Sequence, residues 1–246
     1  MKLLVCDYDG TFYTDEDNVK KNVNKIYDWM KDGNYFMLSS GRSFNSLVEK
    51  IKKYGIPIDF ISTEDGSYLF DHNVNLLHER KLDKKLIGKL DNIMNLNAHE
   101  DLQFGTKYEY YRELPKNDIS NVNFVLKNNN ISQKFIFEWN KLKENESNNY
   151  NFLVYSYDNI SYYCIKPKGI DKTTPIKYLE WYIPILKKDI YTVGDSDNDK
   201  TMIEEYNGYV IGESPIRKYA IDRYDNVYEL IDNINNKKIK KRIMTR

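Results

Sequence analysis

Two cysteines in 246 residues are too few for a disulfide scaffold. Cys6 closes the apolar run KLLVC and Cys164 lies in SYYCIK, and no Cys/His arrangement marks either as a nucleophile. Both read as small buried hydrophobes in a reducing compartment. An excess of one charge is missing as well, because Lys plus Arg and Asp plus Glu each number 37. A balanced chain gives no overall support for nucleic-acid binding, which relies on concentrated positive charge. The basic run KKIKKRIMTR at 237–246 reads as a solvated end. No uncharged stretch reaches the roughly 18 residues expected of a membrane span. The apolar start is broken at once by Asp7 and Asp9, so it does not have the form of a signal peptide. These absences lead us to expect a cytoplasmic protein with neither membrane nor nucleic-acid partners. Internal repeats and low-complexity segments are also lacking.

What is present is an ordinary globular composition, 41% hydrophobic and 30% charged. KLLVC (2–6), YFMLSS (35–40) and IDFIST (58–63) read as buried strands. Between them, 18–31 and 43–55 carry apolar residues at helical spacing, and Gly33 and Gly55 serve as stops. Strand–helix alternation of this kind implies a parallel sheet with right-handed crossovers. The pattern then changes. Residues 67–77 and 151–168 look like hairpins, 121–127 like a strand, and 82–94 and 131–144 like helices, which together imply an antiparallel α+β unit. After Lys172 the first pattern returns, with a helix at 174–182, strands at 189–193 and 208–212, and a helix from about 198. An α/β core over 1–80 and 166–246, with an inserted module at 81–165, is the expected organisation.

The chemistry gathers at strand ends. In CDYDGTFYT, Asp7 and Asp9 follow the first strand two residues apart, a spacing that turns both carboxylates the same way in extended backbone. Gly10 relaxes the turn and Thr11 adds a hydroxyl. VGDSDNDKTM repeats the arrangement after the strand at 189–193, with Asp195, Asp197 and Asp199. SSGR places Ser39, Ser40 and Gly41 after the second strand. Ligands of open α/β sheets sit beyond the carboxyl ends of strands. If these three strands are parallel neighbours, their tips gather a set of hard oxygens suited to Mg²⁺.

Three blander readings compete. An EF-hand fits Asp195, Asp197 and Asp199 at positions 1, 3 and 5, but Lys200 stands where the sixth-position glycine belongs and Tyr206 where the acidic twelfth residue belongs. Simple turn chemistry explains one such motif. It does not explain two acidic motifs and a hydroxyl-glycine at three strand ends. A receiver-type domain also clusters aspartates, but it is about half this length and leaves the inserted unit unexplained.

DYDGT, SSGR, the lysine of KGIDKTTPIKYL and GDSDND, in that order, resemble the four motifs of the haloacid dehalogenase (HAD) superfamily. The insert between the second and third motifs resembles the Cof-type, or class IIB, sugar-phosphate phosphatases. The resemblance runs from Lys2 to about residue 235. It implies a Rossmann-like core with an inserted α+β (C2-type) cap that closes over it. It also implies a Mg²⁺-dependent phosphatase acting on a small phosphorylated metabolite, as a monomer or weak homodimer.

By this resemblance Asp7 is the nucleophile that forms an aspartyl-phosphate, and Asp9 is the acid that protonates the leaving oxygen and then serves as the base for water. Ser40, Gly41, Lys172 and Asn198 bind the phosphoryl group. Asp7, Asp195 and Asp199, with Asp9 through its main-chain carbonyl, hold the metal. Asp197 reads as a solvent-facing turn residue. Lys172 also has a plain reading, as a residue flanking a helix N-terminus beside Thr173, Thr174 and Pro175. A lysine there opposes the helix dipole, which favours an anionic partner.

The chain departs from its relatives at Ser40, where threonine is usual. Glu64 and Asp65 replace an Asn-Gly pair, and Glu213 replaces a small-residue run; if Glu64 or Asp65 faces the cleft, the added negative charge disfavours highly anionic substrates and suits a polyol or amino-sugar phosphate. His99, Glu100, Tyr108, Tyr110 and Tyr111 are candidates of the insert for touching substrate, but most of them read as ordinary surface or packing residues. Two alternatives stay open: a phosphomutase or phosphotransferase with the same first half-reaction, and a non-catalytic sugar-phosphate-binding regulator.

Overall fold

The computed structural model describes residues 1–94, 96, 101–116, 118–156 and 158–244, with backbone alone for 91, 92, 94 and 237–244. His99 and Glu100 lie outside the described residues. The chain forms two compact units. One comprises Met1–Gly41, Leu47–His78 and Asp171–Arg246, and the other Arg42–Ser46 and Glu79–Ile170.

The first unit opens with β1 (Leu3–Cys6), all four residues fully buried. Burial on both faces explains why this run shows no polar alternation. Helix α1 (Glu16–Lys31) starts two residues earlier than its apolar spacing suggests. The reason is local: the Asp15 side chain accepts from the Asp17 and Asn18 amides, and Glu16 and Asp17 occupy the first turn. Val19, Val23, Ile26 and Trp29 form its buried stripe. Then come β2 (Tyr35–Ser39), α2 (Phe44–Tyr54) and β3 (Phe60–Thr63). A hairpin of β4 (Tyr68–Asp71) and β5 (Leu76–Glu79) closes this half, its turn held by Asp71 Oδ1 accepting from Asn73 and Asn75 amides.

The second unit contains α3 (Lys84–Met94), β6 (Asp101–Thr106), β7 (Tyr110–Tyr111), β8 (Ile119–Lys127), α4 (Gln133–Glu146), β9 (Tyr150–Ser156) and β10 (Ile160–Pro167). Its strands form one antiparallel sheet in the order β7-β6-β8-β10-β9. Alternate residues Val122, Phe124 and Leu126 of β8 pack with Leu86, Leu90, Phe135, Trp139 and Ile165. Trp139 meets Tyr163 edge to face at 5.0 Å. Strand β6 escapes sequence reading because DLQFGT offers only two apolar residues in alternation.

The chain returns to the first unit through α5 (Thr173–Tyr182), β11 (Ile190–Gly194), α6 (Lys200–Glu205), β12 (Asn207–Ile211), β13 (Asp222–Tyr224) and α7 (Val227–Met244). Its eight-stranded sheet runs β13-β12-β11-β1-β2-β3-β4-β5. Strand β1 is parallel to both β11 and β2, with Cys6 level with Val193 on one side and Leu38 on the other. Leu3, Val5, Met37, Phe60, Ile176, Leu179, Ile190 and Val210 form a common core. The α/β class with a parallel-sheet core, expected from the motif order, is therefore present. Among the described residues no helix is long and apolar enough to cross a membrane.

Candidate active site

The sheet order decides the site. Because β11, β1 and β2 are adjacent and parallel, their C-terminal ends deliver Asp195, Asp7 and Ser40 to one edge of the first unit. The Asp7 amide extends the ladder by one bond, donating to the Val193 carbonyl at 2.9 Å. Asp7 is thus fixed at the strand tip with 5% of its surface exposed.

Lys172 lies at the centre of the site, fully buried. Its Nζ donates to Asp7 Oδ1 at 2.5 Å and to Asp199 Oδ1 at 2.6 Å. Its position as a mere helix flank is therefore excluded. Lys172 does occupy the N-cap position of α5, but its side chain caps nothing there; one position earlier, Asp171 Oδ1 accepts from the Thr173 amide at 2.8 Å. Asp199 is fully buried too, and its other oxygen accepts from the Asp195 and Ser196 amides at 3.0 and 3.1 Å. This one carboxylate holds both the loop after β11 and the lysine.

Asp195 is tied down by Thr11, whose hydroxyl donates to Oδ1 at 2.6 Å. The close approach explains two glycines. A Cβ on Gly10 (φ +80°) would meet Asp195 Oδ2 at 2.6 Å, and one on Gly194 would meet the Asp199 carboxyl carbon at 2.4 Å. One carboxylate oxygen from each of Asp7, Asp195 and Asp199 lies within 4.8 Å of the others. Burial pushes the Asp7 carboxyl well up, against the pull of Lys172, with Asp199 and Asp195 adding to the rise. Burial raises Asp195 as well, partly offset by the Thr11 hydrogen bond. Burial alone would lower the Lys172 ammonium, but Asp199, Asp7 and Asp65 outweigh it and hold it raised.

The other residues singled out in the sequence fall as follows. Ser40 is buried; its amide donates to the Ser62 carbonyl at 3.0 Å, and its carbonyl accepts from the Asp65 amide at 3.1 Å. Asp9 is exposed and Asp197 is exposed on its turn. Asn198 receives the Ser196 hydroxyl on Oδ1 at 2.7 Å and donates from Nδ2 to Asp65 Oδ1 at 3.1 Å. Glu213 turns outward to pair with Arg223. Cys6 is buried beneath the cluster, and burial followed by the charge of Asp7 pushes its thiol well up.

Two contributors went unassigned in the sequence. Thr11 was visible only as a nearby hydroxyl, and its bond to Asp195 spans 184 positions. Asp65 stood out in the sequence with Glu64 as a departure from the relatives, but nothing local shows which of the two faces the site; the contact with Asn198 spans 133 positions.

The cluster can carry a cation. Three buried or half-buried carboxylates surround a single ammonium, and uncompensated buried charge is costly. The donors are all hard oxygens, the set that suits Mg²⁺.

Comparisons with known proteins agree with this architecture. The family profile for haloacid dehalogenase-like hydrolases matches residues 4–216. A haloacid dehalogenase-like hydrolase from Bacteroides thetaiotaomicron superposes with a TM-score of 0.77 at 19% identity, covering 95% of this chain and 99% of that one. A HAD subclass IIB sugar phosphatase superposes with a TM-score of 0.72 at 14% identity, covering 96% and 99%. A sequence relative from Buchnera aphidicola subsp. Baizongia pistaciae, itself named a candidate phosphatase, is 21% identical over 231 residues, 82% of each chain. With its family profile spanning most of the chain and its acidic strand tips joined through one buried lysine, the protein belongs to the haloacid dehalogenase-like hydrolases.

Proposed function

We propose that the protein is a Mg²⁺-dependent phosphatase that hydrolyses a small phosphomonoester, a sugar phosphate in particular, through an aspartyl-phosphate. One observation carries this reading: a fully buried lysine bonded at 2.5 Å to the carboxylate at the tip of the central strand, inside a three-aspartate cluster. The sugar-phosphate part is supported by the subclass IIB sugar phosphatase among the structural relatives.

Asp7 attacks phosphorus, and the bond from phosphorus to the ester oxygen breaks as Asp9 gives that oxygen its proton. Water then attacks the phosphorus held on Asp7. Asp9 takes a proton from that water, and orthophosphate leaves with the Asp7 carboxylate restored. The two acids stand in different environments, Asp7 buried against an ammonium and Asp9 exposed. Lys172, the Ser40 hydroxyl, the Gly41 amide and the Asn198 side-chain amide supply positive charge and donors to the phosphoryl oxygens. Asp7, Asp195 and Asp199, with the Asp9 main-chain carbonyl, would hold Mg²⁺. When bound, the ion neutralises negative charge on the transferring group.

The test is phosphate release from a panel of sugar phosphates and an aryl phosphate, with Mg²⁺ and with chelator, for the wild type and Asp7→Asn. Mg²⁺-dependent release abolished in Asp7→Asn is expected. Release that survives the substitution would refute the role of Asp7, and conversion of substrate to an isomer without free phosphate would identify a mutase.

A further inference from the structure

The turn that carries Asp9 is held by the main chain of one residue. The Tyr8 carbonyl and the Gly10 amide belong to the two peptide units on either side of Asp9, and both bond to Tyr13. The Tyr13 amide donates to the Tyr8 carbonyl at 2.8 Å, and the Tyr13 carbonyl accepts from the Gly10 amide at 3.0 Å. Asp9 and Tyr13 form a bridge of their own, outside the strands of the sheet. Peptide units are planar, so tying down both of them leaves Asp9 little backbone freedom. Asp9 is exposed on this turn, and the main chain beneath it does much to aim its carboxyl.

Tyr13 is itself braced by a row of rings. Its ring stacks on Tyr8 with centroids 6.0 Å apart and planes at 18°, and it meets Tyr54 at 5.6 Å and 35°. Tyr54 ends α2, and its hydroxyl donates at 2.7 Å to Oε1 of Glu16, the first residue of α1. Lys53 Nζ donates to the same carboxylate oxygen at 3.0 Å and to the Tyr54 hydroxyl at 2.7 Å. An exposed ion pair of this kind adds little stability, but these three bonds tether the outer end of the Tyr54 ring. The tip of β1, the start of α1 and the end of α2 thus converge on Tyr13. Tyr8 and Phe12 already bury the inner side of the turn, whereas Tyr13 is only half-buried. Tyr13 therefore adds less to the core than to the geometry of Asp9.

We propose that Tyr13, braced by Tyr54, is a positioning residue that holds Asp9 in line with the ester oxygen it protonates. The inference rests on the phosphatase reading, in which Asp9 is the acid, and deepens it by naming what aims that acid. Loosening Tyr13 then impairs proton delivery and spares the attack by Asp7. Proton delivery matters for a poor leaving group such as a sugar alkoxide, and hardly at all for a nitrophenolate, which departs without a proton.

The test is kcat/KM, which covers the steps up to departure of the leaving group, for a hexose monophosphate and for p-nitrophenyl phosphate. It compares the wild type with Tyr13→Ala, Tyr13→Phe and Tyr54→Ala, with Asp9→Asn as the reference. Asp9→Asn should lower the hexose monophosphate value by about 10²-fold or more and the aryl phosphate value far less. Tyr13→Ala should lose about tenfold on the hexose monophosphate and less than about twofold on the aryl phosphate. Tyr54→Ala should shift the ratio the same way by a smaller factor, and Tyr13→Phe, which keeps the ring, should restore the wild-type ratio. Equal losses on both substrates in Tyr13→Ala would mark an ordinary packing residue and overturn the proposal. Amide hydrogen exchange at Gly10, read by NMR without substrate, tests the brace independently of turnover. Exchange should quicken by about tenfold in Tyr13→Ala and Tyr54→Ala, and unchanged exchange in both would also overturn the proposal. No phosphate release by the wild type would refute the phosphatase and with it the acid, and the exchange result would still decide whether Tyr13 holds the turn.

Discussion

Replacing Lys172 with methionine is the most direct test of how the site is balanced. Methionine keeps most of the side-chain length and removes the ammonium. In the folded protein that ammonium joins Asp7 at 2.5 Å and Asp199 at 2.6 Å, and lysine and Asp199 are fully buried. Without it Asp7, Asp195 and Asp199 face one another within 4.8 Å and lose their nearest counter-charge. Breaking a buried pair costs about 3–5 kcal/mol, because the abandoned charge stays desolvated. For a chain of this size that loss lowers Tm by about 6–20 °C.

The deficit should depend on pH in a defined direction. Burial raises Asp7, and Lys172 opposes the rise, so its removal raises Asp7 further. A folded-state pKa above the unfolded one means that the bound proton favours the fold. The variant's deficit is therefore full above the raised Asp7 value and diminishes as pH falls through it towards the ordinary aspartate range. The assay is thermal unfolding of wild type and Lys172→Met in chelator, from neutral pH down to about 5, beside phosphate release in Mg²⁺. Catalysis should drop by about 10²–10³-fold, as for loss of other groups that stabilise transition-state charge. A variant that melts within 2 °C of wild type at neutral pH, with no narrowing of the gap on acidification, would refute the reasoning.

Thr11→Val removes a fully buried hydroxyl from a carboxylate at 2.6 Å and should cost about 1.5–3 kcal/mol, read as a lower urea midpoint at unchanged slope. Neither cysteine is in a disulfide, both are buried, and burial raises the Cys6 thiol, so neither should react with an aromatic disulfide reagent in the native protein. Rapid labelling of the folded chain would contradict that placement.

Much of this fold could be read from residue pattern because the pattern and the packing share a cause. KLLVC lacks alternation since β1 is buried on both faces, and α1 shows its 3.6-residue stripe since Val19, Val23 and Ile26 face one core. Strand β6 could not be read, as six residues with two apolar positions hold too little signal. Strand β13 was missed for a similar reason, its three residues DRY being polar or aromatic and not buried. Within the site, the motifs identified which residues would meet but not how they bond. The spacing of VGDSDNDKTM does not show that Asp199 is buried while Asp197 is exposed; the short helical turn at Asp197–Asp199 decides that. Nor does any local feature show that TEDGS turns Asp65 towards Asn198, a contact across 133 positions.

The hydrogen bonds also distinguish duties among aspartates that look equivalent in sequence. Asp199 has both oxygens engaged, one with Lys172 and the other with two loop amides. Such a carboxylate is already paid for by protein donors, and its main effect is to fix the lysine and the loop that carries Asp195. Asp7 and Asp195 each use Oδ1 for one strong donor, Lys172 and Thr11 respectively, and among the described residues no hydrogen bond reaches Oδ2 of either. Both of these acids are raised by burial, which means that the fold by itself leaves their charge undercompensated. On the proposed reading, this undercompensation is what the cation relieves. Asp7 and Asp195 then bear most of the metal affinity, and Asp199 bears most of the geometry.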